Sequence, residues 1–177
     1  EADVIFQSEY VYVEEKVDGA SVGIYMDDEG NPVIRNSEHI LNKGYVKKST
    51  PAKLQFRPLW NWFYENKSKF SRLSEIGLSV YAEWMWMQHG MTYDLLPDWL
   101  IAYDLFNQHT GQFVDTSVAR GHLIEAGFVT TPLPHSGPVK DKSLLDGLMN
   151  LPSKFSTLAK AEGIYVKVSD GSTFFIV

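Results

Sequence analysis

An α+β fold built on antiparallel sheets is predicted for this chain on three observations. Short runs rich in Val, Ile, Tyr and Trp recur along it, as strands do. Turn residues join several of these runs directly, which makes hairpins. Helical periodicity falls between them without the regular strand, helix, strand rhythm that a doubly wound parallel sheet requires.

Taken in order, Tyr10 to Glu15 alternates Tyr10, Tyr12 and Glu14 on one side with Val11, Val13 and Glu15 on the other, as a half-buried strand would. Ala20 to Met26 reads as its partner strand, with Gly19 giving flexible backbone at the connection. Asp27 to Pro32 is a turn by its residue chemistry, and Val33 to Asn36 returns as a third strand of an antiparallel meander. Between Ala52 and Leu73, the residues Leu54, Leu59, Trp62, Phe63 and Phe70 recur at near-helical spacing, which predicts a helix bent near Pro58. Leu78 to Met87 and Trp99 to Phe106 read as strands, and Asn107 to Gly111 as a turn. Thr116 is the predicted cap of a helix over Val118 to Ala126 that Gly127 ends, and Lys142 to Met149 is a shorter helix. Gly163 to Val168, the turn Ser169 to Ser172 and Thr173 to Val177 form a final hairpin.

The 177 residues are 44% hydrophobic and 21% charged, the profile of one globular domain with a core, not of a disordered tail. Cysteine is absent, which excludes disulfides and thiolate metal sites and fits a cytoplasmic or other reducing intracellular compartment. The five histidines make no close ligand pair. No apolar run approaches the roughly 18 to 20 residues of a membrane helix, so no membrane partner is expected. A net charge of -6 argues against binding polyanions over the whole surface. Nucleic acid would need a local basic stripe, and Lys43, Lys47, Lys48, Lys53 and Arg57, with Tyr45 among them, then Lys67, Lys69 and Arg72, provide a candidate. A solvated loop and helix face explains any single member equally well.

Lys16-Val17-Asp18-Gly19 follows the opening strand, and a lysine presented there can act as a covalent nucleophile toward a nucleotide phosphate. Alone it would be an ordinary exposed strand-end lysine. Three further segments in order change that weight: Tyr81-Ala82-Glu83-Trp84, Ile101 to Phe106 containing Ala102-Tyr103-Asp104, and Glu162-Gly163-Ile164-Tyr165-Val166-Lys167. Glu83 is a lone acid among Tyr81, Trp84 and Trp86 in an apolar strand, where a carboxylate needs a reason to be. Glu162 and Lys167 stand five apart, so a regular strand puts them on opposite faces unless Gly163 breaks the register or Glu162 precedes the strand.

Together these motifs resemble the covalent nucleotidyltransferase superfamily of ATP-dependent ligases and mRNA capping enzymes, and most closely its small RNA ligases. The resemblance runs from about Tyr10 to Val168. Its most specific stretch is Tyr81 to Phe106, where Ala82-Glu83-Trp84, His89 and Tyr93-Asp94 to Pro97-Asp98 lead into Ala102-Tyr103-Asp104. It implies two antiparallel sheets with flanking helices, an ATP cleft between them, and one nucleotidyltransferase (adenylation) domain over residues 1–177 that can continue beyond both ends. In such enzymes the lysine attacks the α-phosphate of ATP to give lysyl-AMP, AMP passes to a 5′-phosphate end, and a 3′-OH displaces it to seal the strand. The implied partner is RNA or a nicked duplex with those ends.

The resemblance makes Lys16 the nucleophile. A free lysine has a pKa of about 10.4, so about one in a thousand carries the attacking amine near neutral pH, and neighbouring carboxylates would favour the ammonium further. Glu83 is implied to hold the ribose hydroxyls, and Tyr103 to stack on adenine, with Trp84 or Tyr93 as alternatives. Glu162 is implied as a ligand for Mg²⁺ or Mn²⁺ near the phosphates and Lys167 as the lysine closing that motif. Arg35 falls where an arginine contacts the nucleotide or the accepting phosphate, a strand-edge salt bridge being the other reading. Glu15 resembles the residue that recognises the adenine edge, with Glu14 as alternative, and Asp18 and Gly19 complete the lysine motif. Position 21 is Ser, where DNA ligases usually have Arg and RNA ligases often Asn. The paired lysines that end this domain in the family would lie beyond Val177. A DNA ligase or capping guanylyltransferase core, or a non-catalytic module that binds nucleic-acid ends, are the alternative functions.

Overall fold

A computed structural model describes residues 3–42, 50, 54–168 and 173–176. The chain folds into two compact units. Unit 1 comprises Glu1–Asp18, His89–Pro97 and Thr131–Val177; unit 2 comprises Gly19–Gln88 and Asp98–Thr130.

In unit 1, helix α1 (Asp3–Gln7) precedes strand β1 (Val11–Lys16). β1 pairs antiparallel with both β9 (His135–Gly137) and β10 (Gly163–Val168), and β10 with β11 (Thr173–Ile176), giving the order β11-β10-β1-β9. Val11, Val13, Ile164, Val166 and Val168 form the core face and pack with Ile5 of α1, Val139, and Leu145 and Leu148 of helix α5 (Lys142–Met149). Each fully buried aliphatic side chain contributes about 1.5–3 kcal/mol relative to exposure. Asp141 caps α5 by accepting from the Ser143 and Leu144 amides.

In unit 2, β2 (Ala20–Met26), β3 (Pro32–Arg35), β4 (Ile40–Leu41), β5 (Leu78–Trp84), β6 (Leu100–Asn107) and β7 (Gln112–Phe113) form an antiparallel path ordered β4-β3-β2-β5-β6-β7. β8 (Val129–Thr130) joins β6 in parallel, a ladder absent from the sequence expectation. Between β6 and β8 the chain runs through helix α4 (Thr116–Glu125), and such a crossover is what a parallel pair needs. Val22, Ile24, Val80, Ala82, Trp84 and Leu105 pack against Leu59 and Phe63 of α2 (Leu59–Glu65), Phe70 of α3 (Lys67–Glu75), and Leu123. The fully buried Trp84 donates its indole N–H to the Gln55 carbonyl at 2.7 Å.

Three sequence expectations are corrected. β1 and β2 are not partners: β1 has both edges occupied by β9 and β10, and β2 lies between β3 and β5. Strand pairing is decided by distant segments, which the local alternation of Tyr10 to Glu15 does not encode. The helix expected from Ala52 to Leu73 is two helices, because Pro58 stands at the N-cap of α2 and the break falls at Asn66, with φ -112 and ψ 15. The cap of α4 is Asp115, whose carboxylate accepts from Ser117 and Val118, not Thr116. Gly127 ends that helical segment as expected, with φ +89, a conformation that glycine adopts without a Cβ penalty.

Lys43, Tyr45, Lys47, Lys48 and Lys53, the start of the predicted helix at Ala52 and the turn 169–172 lie outside the described residues. Of the remaining basic candidates, Lys69 meets Asp98 at 3.4 Å and Arg72 meets Glu125 at 2.9 Å. Among the described residues, no helix is long and apolar enough to cross a membrane.

Candidate active site

Lys16 ends β1 directly opposite Gly163, the first residue of β10. Its ammonium donates to the Glu162 carboxylate, and the two side chains are 18% and 29% exposed, so the pair is accessible yet partly withdrawn from water. Glu162 precedes β10, which resolves the odd spacing to Lys167: one residue is outside the ladder and the other within it. Lys167 lies opposite Tyr12 and pairs with Glu14 at 2.9 Å. Alternation along β1 puts Tyr12, Glu14 and Lys16 on one face, away from Val11 and Val13. That face therefore carries two ion pairs side by side, Lys16 with Glu162 and Lys167 with Glu14. The second is almost fully buried, at 7% and 1% exposure.

Glu15 lies on the other face of β1. Its carboxylate accepts from the Ser153 hydroxyl at 2.5 Å and the Lys154 amide at 3.0 Å, and its own amide donates to the Pro132 carbonyl. The Glu15 side chain thus fixes the 153–154 segment, on the face of β1 opposite that of Lys16. Of the two acids, Glu14 shares the face of Lys16, and Lys167 holds it.

Asp18 ties the end of β1 to the segment 89–97. Its Oδ2 accepts from the Gly90 and Met91 amides at 2.6 and 2.9 Å, and its amide donates to the Tyr93 hydroxyl at 2.8 Å. Burial pushes the Tyr93 phenol well above the ordinary tyrosine range; the Asp18 amide bond opposes the shift, while the charges of Asp18, Glu15 and Glu162 add to it. Asp18 thus positions the turn that follows Lys16. Nearby, Asp94 accepts from both the hydroxyl and the amide of Thr157, the latter at 2.7 Å. The Thr157 hydroxyl first, then its amide, hold the Asp94 carboxyl below the ordinary 3.8. A folded-state pKa below the unfolded one stabilises fully above pH 3.8 and ceases to do so as the pH falls through the lowered value. Thr157→Val should move the Asp94 titration up toward 3.8, as read by NMR, and should flatten this acid limb of stability.

In unit 2, Glu83 is half-buried on β5, opposite Ser21 of β2 and Ile101 of β6. The β5/β6 register jumps between Tyr81/Asp104 and Ala82/Ala102, which makes Tyr103 the extra residue of a β-bulge. Bulges re-aim side chains, and the Tyr103 hydroxyl meets the Ser21 hydroxyl at 2.7 Å. Position 21, a departure from the family pattern in sequence, is thus occupied by a small residue that receives Tyr103. A Cβ on Gly19 would lie 2.5 Å from Met85 Sδ, 3.0 Å from the Trp84 carbonyl oxygen and 3.3 Å from Glu83 Cβ. Glycine is required there because β5 approaches it, whatever a ligand does. Arg35 is exposed on β3; its Nε donates to the Asn36 carbonyl at 3.4 Å, and it makes no ion pair among the described residues. The strand-edge salt bridge considered for it is therefore not found among them.

The acids of the stretch 93–98 also have structural partners. Asp98 accepts from the Trp62 indole at 2.7 Å and meets Lys69, whose ammonium lies over the Trp62 and Phe128 rings. Sequence reading missed Ser153 and Ser21 as partners of Glu15 and Tyr103, because nothing local marks either serine. Among the described residues, no cluster of three His, Asp or Glu could cage a metal. Magnesium and manganese sites completed by phosphate oxygens and water need only one or two protein carboxylates. Glu162, partly exposed beside Lys16, fits that mode.

A family model described as RNA ligase matches residues 9–175. No curated protein matches the sequence. Similar solved structures include a Naegleria gruberi RNA ligase variant with ATP and Mn, at TM-score 0.74 and 15% identity, covering 99% of this chain and 51% of that one. Naegleria gruberi RNA ligase with PPi matches at TM-score 0.71 and 17% identity, over 99% and 52% of the two chains. A variant of it with AMP and Mn matches at TM-score 0.70 and 17% identity, over 99% and 53%. At such identities the likeness establishes a shared nucleotidyltransferase fold, and the chain spans about half the length of those structures. With its family-specific segments in place and the match reaching nearly end to end, the chain belongs to the RNA ligase family.

Proposed function

We propose that this chain is the nucleotidyl-transferring domain of an ATP-dependent RNA ligase, with Lys16 as the AMP acceptor. The observation that carries this reading is the placement of Lys16 at the accessible end of β1, in contact with Glu162, within a chain that matches the RNA ligase family from residue 9 to 175. The similar Naegleria gruberi RNA ligase structures are solved with ATP, with AMP and with PPi, which correspond to the nucleotide substrate, the nucleotidyl group to be transferred and the leaving group of the first step. In that step the deprotonated Lys16 amine bonds to the α-phosphorus, the bond from that phosphorus to the bridging oxygen breaks, and pyrophosphate leaves in line. AMP then passes to the 5′-phosphate of an RNA end, and the 3′-OH of the other end displaces it.

Each site residue has a part in this reading. Glu162 orients Lys16 through their contact, and it would hold Mg²⁺ or Mn²⁺, which supplies positive charge against the phosphates. Glu83 takes the ribose hydroxyls, and Tyr103, fixed by Ser21, offers its ring to adenine. Arg35, exposed and with no ion pair among the described residues, presents a fork suited to a phosphate. Lys167 holds Glu14 on the face that carries Lys16, and Asp18 and Gly19 set the turn after the nucleophile. Glu83→Ala should lower kcat/KM for AMP transfer about 10- to 100-fold, the range expected for losing hydrogen bonds to a charged group, with its thermal melt as the control for folding. The reading itself is tested by offering 5′-phosphorylated and 3′-OH ends in nicked RNA and nicked DNA, with ATP or GTP. RNA sealing that requires ATP is the expected result; GTP-specific transfer, or sealing of DNA alone, contradicts it.

A further inference from the structure

On one face of the seven-stranded sheet of unit 2, aromatic rings gather around a glycine. Gly23 on β2 is directly opposite Arg35 on β3 and Tyr81 on β5. A Cβ at Gly23 would come within 3.0 Å of the Tyr81 ring and 3.1 Å of Arg35 Cγ, so these two side chains lean over it from both sides. Tyr25, Ser79, Phe106 and Gln108 complete a hollow of about 240 Å³. Its rings continue outward: Tyr81, Phe106 and Phe113 lie 5.2 to 6.2 Å apart in tilted or edge-on contact, and Phe113 is 57% exposed. The polar end is set by the Gln108 amide donating to the Ser79 hydroxyl at 2.8 Å.

We propose that this hollow is a nucleobase subsite for an unpaired nucleotide of the RNA strand being joined, with its phosphate toward Arg35. This rests on the RNA-joining reading above. Pockets for whole cofactor-sized ligands run to roughly 300–1,000 Å³, so a hollow of about 240 Å³ suits one base and not a nucleoside triphosphate. Aromatic faces beside an arginine are what single-stranded nucleic acid uses, because every base has a stacking face and every linkage an anion. Charge sets the orientation. The chain carries a net charge of -6, so a strand needs a local cation, and Arg35 supplies one on the β3 side of the hollow. Gln108 and Ser79 offer hydrogen bonds to a base edge at the inner end.

The test uses a 5′-phosphorylated single-stranded RNA oligonucleotide carrying 2-aminopurine near its 5′ end, whose fluorescence is quenched on stacking. The intact chain should quench it. Phe106→Leu, which keeps bulk and removes the ring, and Phe113→Ala, at an exposed edge strand, should each weaken binding about ten-fold. Phe113→Trp should restore it, and AMP transfer to Lys16 should be unchanged in all three. Wild-type affinity and quenching in Phe106→Leu and Phe113→Ala, with AMP transfer intact, would overturn the subsite and leave the ligase reading standing. Quenching that depends on these rings in a chain that never takes up AMP would support the subsite and remove the ligase reading. Equal, equally ring-dependent binding of a fully paired RNA duplex would also overturn it, since paired bases cannot enter.

Discussion

Lys16→Ala is expected to abolish transfer of label from α-labelled ATP to the protein while leaving the fold intact. Both halves follow from the same geometry. The Lys16 and Glu162 side chains are 18% and 29% exposed, so the Glu162 carboxylate released by the substitution can be solvated, and an accessible pair contributes about 0–1 kcal/mol. The nitrogen that must form the bond to phosphorus has no replacement, so the chemistry stops altogether instead of slowing. Lys16→Arg should fail as well, since a guanidinium stays protonated and is no nucleophile at neutral pH. Thermal melting within a few degrees of wild type, together with no labelled protein on a denaturing gel, is the expected pair of readings. A labelled Lys16→Ala protein would place the acceptor elsewhere.

Lys167→Ala should do the opposite and damage stability first. Lys167 and Glu14 are 7% and 1% exposed and meet at 2.9 Å. Removing the lysine takes the ion-pair partner from a buried carboxylate, a change that costs about 3–5 kcal/mol. Urea unfolding measures it, with the slope checked so that a change in midpoint is read as stability. Replacing both partners, Glu14→Gln with Lys167→Met, should recover most of the loss, because the unpaired buried charge goes with them. A single-variant loss under about 1 kcal/mol would mean that water reaches the pair. Two lysines on one sheet face thus separate by burial: Lys16, the proposed nucleophile, is partly exposed, while Lys167 is buried in an ion pair.

Much of this was legible in sequence, and the parts that were not share a physical cause. Strand-favouring composition marked β5 and β6, and β10 and α5 were read with the bounds that they have. Segments too short to show a period, such as α1, β8 and β9, left no signal. The partners of β1 were misjudged because hydrogen-bonded neighbours come from residues 135–137 and 163–168, far along the chain. Lys16 and Glu162 were singled out through motif order and lie in contact, while the start of β10 at Gly163 leaves Glu162 outside the ladder that holds Lys167. The Glu15 side chain lies on the face of β1 opposite that of Lys16, because neighbours in sequence alternate across a strand. Ser21 and Ser153, which position Tyr103 and Glu15, could be known only once the sheets had formed.

The most direct measurement is the intact mass of this chain after incubation with ATP and Mg²⁺ or Mn²⁺, followed by peptide mapping. A gain of one AMP through an acid-labile phosphoramidate, mapped to Lys16 and lost on addition of pyrophosphate, is the predicted result. An unchanged mass from a folded chain with the metal present, or an AMP mapped to any other residue, would contradict it.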